Sequence, residues 1–187
     1  MLSFKKTRRR IVYHNNRWSV EEDNTLRNDG QTGTYDYLVG SDSVLVVPLA
    51  DDLKVGLDTE FRVPINRNNL EFPGGKIDDE APLAAARREL LEETGLLAWE
   101  WTLLAKTRPL AAISRETKYI YLARKLDMSH QSPQVKENIT AMRFVSFEKA
   151  FELISSGTIS DSQTITALTL AALHLNRFPA PHKQELI

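Results

Sequence analysis

Three glutamates on one short stretch are the residues whose types and spacing suggest chemistry. Glu89 and Glu93 lie four residues apart, with Glu92 between them. Side chains three and four residues apart share one face of a helix, so the three carboxylates can converge. Like charges at that spacing repel, and a hard divalent cation such as Mg²⁺ would offset the repulsion. The alternative is a solvated acidic helix face, which composition alone favours.

The residues around these glutamates predict a turn that leads into a helix. Pro73-Gly74-Gly75 is a chain-reversing element that can expose backbone carbonyls. A helix is predicted over residues 80–94, with Gly95 as its left-handed C-cap. Arg88 precedes Glu92 by four residues, so we expect the two to pair and hold that carboxylate in place.

The rest of the chain must position this helix, and its patterns predict an α/β protein. Runs rich in β-branched and aromatic residues predict strands over 10–13, 17–20, 34–39, 44–49, 55–61, 101–107, 118–126 and 142–145. Further helices are predicted over 148–156 and 161–175. Strands mixed with helices indicate α/β layers around a mixed sheet. Residues 1–40 are expected to form a small N-terminal strand region and residues 41–187 the main domain.

Composition narrows the function classes. The 187 residues include 24 Lys and Arg, 25 Asp and Glu, and no cysteine. This balance argues against nucleic acid or an anionic membrane as partner. Without cysteine, thiol catalysis and Cys-based zinc sites are excluded. The absence of cysteine does not fix the compartment, but nothing calls for an oxidising one, and we expect a cytoplasmic protein. The basic run over 5–10 is expected to be a solvated tail before the first strand, with phosphate contact as the alternative.

The spacing of the helical segment resembles a known signature. Gly74-x5-Glu80-x7-Arg88-Glu89-Leu90-x-Glu92-Glu93-x-Gly95-Leu96 matches the box of the Nudix hydrolase family at every specified position. The resemblance implies an α/β/α sandwich with a mixed sheet. It also implies hydrolysis of a nucleoside diphosphate linked to another moiety, with Mg²⁺ or Mn²⁺ as cofactor.

The same resemblance implies roles for individual residues. Glu89 and Glu93 correspond to direct metal ligands, and Glu92 to a further ligand or an orienting carboxylate. The Gly74 carbonyl corresponds to a backbone ligand, Arg88 to the residue that fixes Glu92 or its neighbours, and Glu80 helps complete the acidic cluster. One departure concerns the loop after the glycines, which is one residue shorter than in many relatives.

The arrangement outside the box is similar to the ADP-ribose pyrophosphatase branch of the family. That likeness implies a nucleoside-diphosphate-sugar substrate and a homodimer in which the N-terminal strand region is swapped. Arg62 corresponds to a phosphate contact, with a plain surface residue as the alternative. Glu137 corresponds to an additional metal ligand or the general base, and Glu116 is a weaker candidate for that role.

The sequence leaves two other functions open. One is a Nudix hydrolase for another substrate, such as GDP-mannose, a dinucleoside polyphosphate or a damaged nucleoside triphosphate. The other is a Nudix-like domain that senses a nucleotide sugar without catalysis. We rank the sensor lower because Glu89, Glu92 and Glu93 are all present.

Overall fold

The computed structural model describes residues 4–127 and 139–178. The strands are β1 (Phe4–His14), β2 (Trp18–Arg27), β3 (Thr32–Gly40), β4 (Ser43–Pro48), β5 (Val55–Arg62), β6 (Arg67–Glu71), β7 (Gly74–Lys76), β8 (Leu97–Thr107), β9 (Lys118–Asp127) and β10 (Ile139–Val145). The helices are α1 (Pro82–Thr94), α2 (Phe147–Ser155) and α3 (Ser162–Leu175), with a 3-10 turn at Val63–Ile65. In the part of the chain described, no helix is long and apolar enough to cross a membrane.

Strand β4 is the centre of the fold because both of its faces are covered. It lies in a mixed sheet of order β7-β4-β9-β8, parallel to β9 and antiparallel to β7. Val44 and Val46 pack with residues of α1, whereas Leu45 and Val47 belong to the cluster that includes α2 and α3. Alternate residues of a strand point to opposite faces, so helices lie on both sides of this sheet. The expected α/β/α sandwich with a mixed sheet is confirmed.

A second sheet, of order β10-β5-β6, contains a strand that the hydrophobic pattern did not predict. Strand β6 begins with Arg67 and two asparagines, which are uncommon in strands, and it pairs antiparallel with β5. The short strand β7 was also missed, because its two glycines indicate a turn. The first helix begins at Pro82 rather than at residue 80, since proline is favoured in the first turn.

The first three strands form a separate antiparallel sheet of order β1-β2-β3. The basic run is exposed to solvent as expected, but it lies within β1 rather than in a tail, and it faces acidic residues of β2. Arg10 donates two hydrogen bonds to Glu22, and Lys6 and Arg9 both pair with the buried Asp23. Cross-strand pairs of opposite charge stabilise a sheet, so these cations are held by carboxylates rather than extended toward a ligand.

Candidate active site

The two glycines before α1 bring the backbone against the predicted catalytic glutamates. The Gly74 N–H donates a hydrogen bond of 2.8 Å to Glu93 Oε2. A Cβ at Gly75 would overlap the carboxylate of Glu89, which is buried. A Cβ at Gly74 would overlap the Val44 carbonyl oxygen. Both positions therefore need glycine because of close approach, and β7 is the strand that borders the carboxylates.

Arg88 is the centre of a charged network on α1. Its guanidinium contacts Glu80 at 2.8 Å, Glu89 at 2.7 Å and Glu92 at 3.3 Å, and it also donates to the Lys76 carbonyl. Burial works to lower the pKa of Arg88, but the hydrogen bonds that Arg88 donates to Glu80 and Glu89 outweigh it and raise that pKa. The expected pair with Glu92 is confirmed, and the same arginine also holds two further carboxylates.

The helix ends where the sequence predicted. Gly95 has a φ of 71° and its N–H donates to the Leu91 carbonyl, which is a left-handed C-cap. Within α1 the residues Ala85, Ala86, Leu90 and Thr94 are buried. This apolar stripe fixes the rotation of the helix, so Glu89 faces β7 while Glu92 lies nearer to solvent.

The carboxylates of Glu89, Glu92 and Glu93 and the Gly74 carbonyl suit a hard divalent cation, since carboxylate and carbonyl oxygens are the ligands that Mg²⁺ prefers. Within residues 4–127 and 139–178, however, no three His, Cys, Asp or Glu side chains are gathered as a group that could hold a metal ion. Arg88 lies among the carboxylates instead. Glu137, the remaining expected ligand, falls outside the described residues. Glu116 accepts a hydrogen bond from Ser43 and lies 3.7 Å from Lys118.

A second charged cluster lies on β5 and β6, just before the glycines. Asp58, Glu60 and Arg62 alternate along β5 and so share one face. Asp58 is directly opposite Glu71 in the register of β5 and β6. Arg62 donates two hydrogen bonds to Glu71, of 2.9 and 2.6 Å, and lies 2.9 Å from Glu60. Asn69 donates a further hydrogen bond of 3.0 Å to Glu71.

The carboxyls of this cluster differ in the direction of their pKa shifts. Burial, reinforced by the negative charges of Glu60 and Glu71, raises the pKa of Asp58 from 3.8 to about 7. Burial would also raise the pKa of Glu71, but the hydrogen bonds and charge of Arg62 outweigh it and lower that pKa. The structure thus places Arg62 against carboxylates. The charged cluster also includes Asp58 and Glu71, which the sequence did not single out. Charged residues at alternate positions of the predicted strand were a signal for Asp58.

Known proteins resemble this chain in sequence. A family model described as NUDIX domain matches residues 42–168. The chain is 29% identical over 128 residues to an ADP-ribose pyrophosphatase of Bacillus subtilis (strain 168), covering 67% of this chain and 69% of that protein. It is 26% identical over 144 residues to a methanol dehydrogenase activator of Bacillus methanolicus, covering 75% and 77%.

The fold has a counterpart among solved structures. A crystal structure titled as an ADP compounds hydrolase superposes with a TM-score of 0.82 and 22% identity, covering 94% of this chain and 97% of the other. At that identity the likeness concerns the fold. The family model spans more than half of the chain and includes all nine positions of the signature. The chain therefore belongs to the Nudix hydrolase family.

Proposed function

We propose that the protein hydrolyses the diphosphate bond of ADP-ribose or a related nucleoside-diphosphate sugar, in a reaction that depends on a divalent metal. The products are a nucleoside monophosphate and a sugar phosphate. The observation that carries the proposal is the contact of Gly74 and Gly75 with Glu93 and Glu89. This contact brings the carboxylates of Glu89 and Glu93 against the backbone of β7. The similarity to ADP-ribose pyrophosphatases supports the choice of substrate.

Glu89, Glu92 and Glu93, with the Gly74 carbonyl and Glu137, would hold Mg²⁺ or Mn²⁺. When bound, such an ion neutralises a diphosphate, polarises a phosphoryl oxygen and lowers the pKa of an attacking water. The box carboxylates already have positioning partners, since Arg88 contacts Glu89 and Glu92 and the Gly74 N–H holds Glu93. Side chains held in this way lose less freedom when a ligand binds.

Arg62 and Glu137 have separate roles in this proposal. The Arg62 guanidinium, with its side chain 44% exposed, binds the substrate diphosphate, since a planar fork of N–H groups matches phosphate oxygens. Glu137 serves as general base by accepting a proton from the attacking water. Arg88 acts through the glutamates that it contacts, so it is a positioning residue.

The proposed assembly is a homodimer that uses the N-terminal strand region, residues 1–40. Strand β1 is exposed at all 11 of its positions, and several exposed positions carry large apolar side chains, among them Phe4, Ile11 and Tyr13. Exposed apolar surface of this kind marks interaction sites. Light scattering coupled to size exclusion should give twice the chain mass, and Ile11→Glu should shift it toward one chain. A single-chain mass for the wild type would contradict the dimer.

A substrate panel with Mg²⁺ tests the proposed activity. ADP-ribose, GDP-mannose, a dinucleoside polyphosphate and an oxidised nucleoside triphosphate are each supplied, and products are separated by chromatography. We expect kcat/KM for ADP-ribose to exceed the others by about tenfold or more, a differential transition-state binding of about 1.4 kcal/mol. A higher value for GDP-mannose would change the substrate, and binding without turnover of any diphosphate would indicate a sensor.

A variant pair tests the metal site. Glu93→Gln removes a proposed ligand while keeping the side-chain shape, and kcat should fall about a thousandfold. Glu152→Gln alters an exposed glutamate on α2 that pairs with Lys149, and it should keep wild-type activity. Circular dichroism and melting temperature check that both variants fold. Wild-type kcat in Glu93→Gln would remove Glu93 from the site.

A further inference from the structure

Asp58 is a buried carboxyl to which the proposed reaction gives no role. Its side chain lies on β5 with the residue 3% exposed, on the face shared with Glu60 and Arg62 and opposite Glu71 on β6. Three carboxyls and one guanidinium therefore occupy one patch of two paired strands. Like charges held close together at a poorly solvated site cannot all ionise freely. Such a patch retains a proton, and its charge depends on pH.

The other charges that act on this patch come from two further elements. Asp161, the N-cap residue of α3, acts on Arg62, and Lys118 at the start of β9 acts on Glu71. On the edge of β5 that pairs with β10 rather than β6, Met142 and Phe144 lie against Gly56, and neither side chain is charged. One added cation and one added anion leave the patch with an excess of carboxyl groups.

We propose that Asp58 is a positioning residue that controls how tightly Arg62 is held by its carboxylate partners and hence how well Arg62 binds a substrate diphosphate. With Asp58 protonated, Glu60 and Glu71 hold the guanidinium, and Asp161 adds a further negative charge nearby. With Asp58 ionised, one more negative charge retains the guanidinium and repels the diphosphate. Affinity for the diphosphate therefore falls as pH rises through neutrality. The inference rests on the proposed function, because it requires Arg62 to contact that substrate.

Burial is what places this change near neutral pH. Burial of the Asp58 carboxyl, together with the negative charges of Glu60 and Glu71, raises the pKa of Asp58 to about 7. The ligand does not titrate in that range, since each phosphate of ADP-ribose is disubstituted and stays ionised. A change in affinity between about pH 6 and about pH 8.5 thus comes from the protein, and a matched variant assigns it to one residue.

The experiment measures ADP-ribose binding by calorimetry with EDTA present, so that metal-dependent turnover does not occur. Wild type, Asp58→Asn, Arg62→Lys and the control Asp51→Asn are compared at about pH 6 and about pH 8.5. Asp51 is an exposed turn residue outside the patch. Wild type and the control should lose about tenfold in affinity at the higher pH, the effect of one nearby unit charge at a partly buried site. Asp58→Asn should keep its affinity, and Arg62→Lys should bind more weakly at both pH values.

The possible outcomes separate this inference from the proposed activity. Hydrolysis of ADP-ribose together with an unchanged pH effect in Asp58→Asn would overturn the role of Asp58 and leave the activity intact. Binding with the expected pH effect but without hydrolysis would leave the role of Asp58 and remove the activity. Failure of ADP-ribose to bind at either pH would remove Arg62 as a diphosphate contact, and the role of Asp58 with it.

Discussion

The ionisation of Asp58 should also be visible in the stability of the protein, without any ligand. Its pKa in the folded protein is about 7, against 3.8 for an ordinary aspartate. A folded-state pKa above the unfolded value favours folding at low pH. That contribution is fully present below about pH 4 and is lost as pH rises through about 7. Asp58→Asn replaces the titrating carboxyl with an amide that stays neutral.

The size of the effect follows from the difference between the two pKa values. About three pKa units, at roughly 1.4 kcal/mol each, correspond to about 4 kcal/mol of unfolding free energy. The stability advantage of Asp58→Asn over wild type should be small near pH 4 and approach this figure by about pH 8. For a chain of this length the melting temperatures should then differ by roughly 10 °C.

The assay is a set of urea and thermal unfolding curves at half-unit pH steps, with Asp51→Asn as the control. Wild type and the control should lose stability together toward high pH, while Asp58→Asn should lose less. Parallel curves for all three proteins would contradict this prediction, because they would show that Asp58 titrates alike in the folded and unfolded states. A variant destabilised equally at every pH would point to lost hydrogen bonding and not to charge.

Three further predictions concern the other charged groups. Gly75→Ala should displace the Glu89 carboxylate and lower kcat by about tenfold or more. The control Gly33→Ala, whose Cβ would lie 3.5 Å from its nearest neighbour, should stay active. Arg88→Met should lower kcat about a hundredfold by releasing three glutamates from their positions, measured at saturating ADP-ribose. Asp23→Asn should increase amide hydrogen exchange in β1 by about tenfold, measured by mass spectrometry, and more than Glu22→Gln does, because Asp23 is buried. Equal exchange in the last two variants would contradict a role for burial.

The box helix could be predicted from the sequence because its signals are local. The glycine C-cap, the apolar stripe and the i, i+4 pair of Arg88 with Glu92 all lie within one segment. Strand β6 could not be predicted in this way, since it is formed from polar residues that pair with β5 through tertiary contacts. Its existence depends on neighbours distant in sequence.

The charged patches show the same limit. The basic run in β1 looks solvated when taken alone, and only the register with β2 brings it to Asp23. Arg62 was expected to contact phosphate, and only the pairing of β5 with β6 shows that Glu71 holds it. Charge neutralisation across strands depends on register, and register is not visible in a single segment.

In the proposed function, the carboxylates of the Nudix box support metal-dependent hydrolysis of a nucleoside-diphosphate sugar. The most direct measurement is chromatography of the products formed from ADP-ribose by the wild-type protein, with Mg²⁺ and with EDTA. We expect AMP and ribose 5-phosphate in equal amounts with Mg²⁺, and intact ADP-ribose with EDTA. Intact ADP-ribose in both samples, or equal cleavage in both, would contradict the claim.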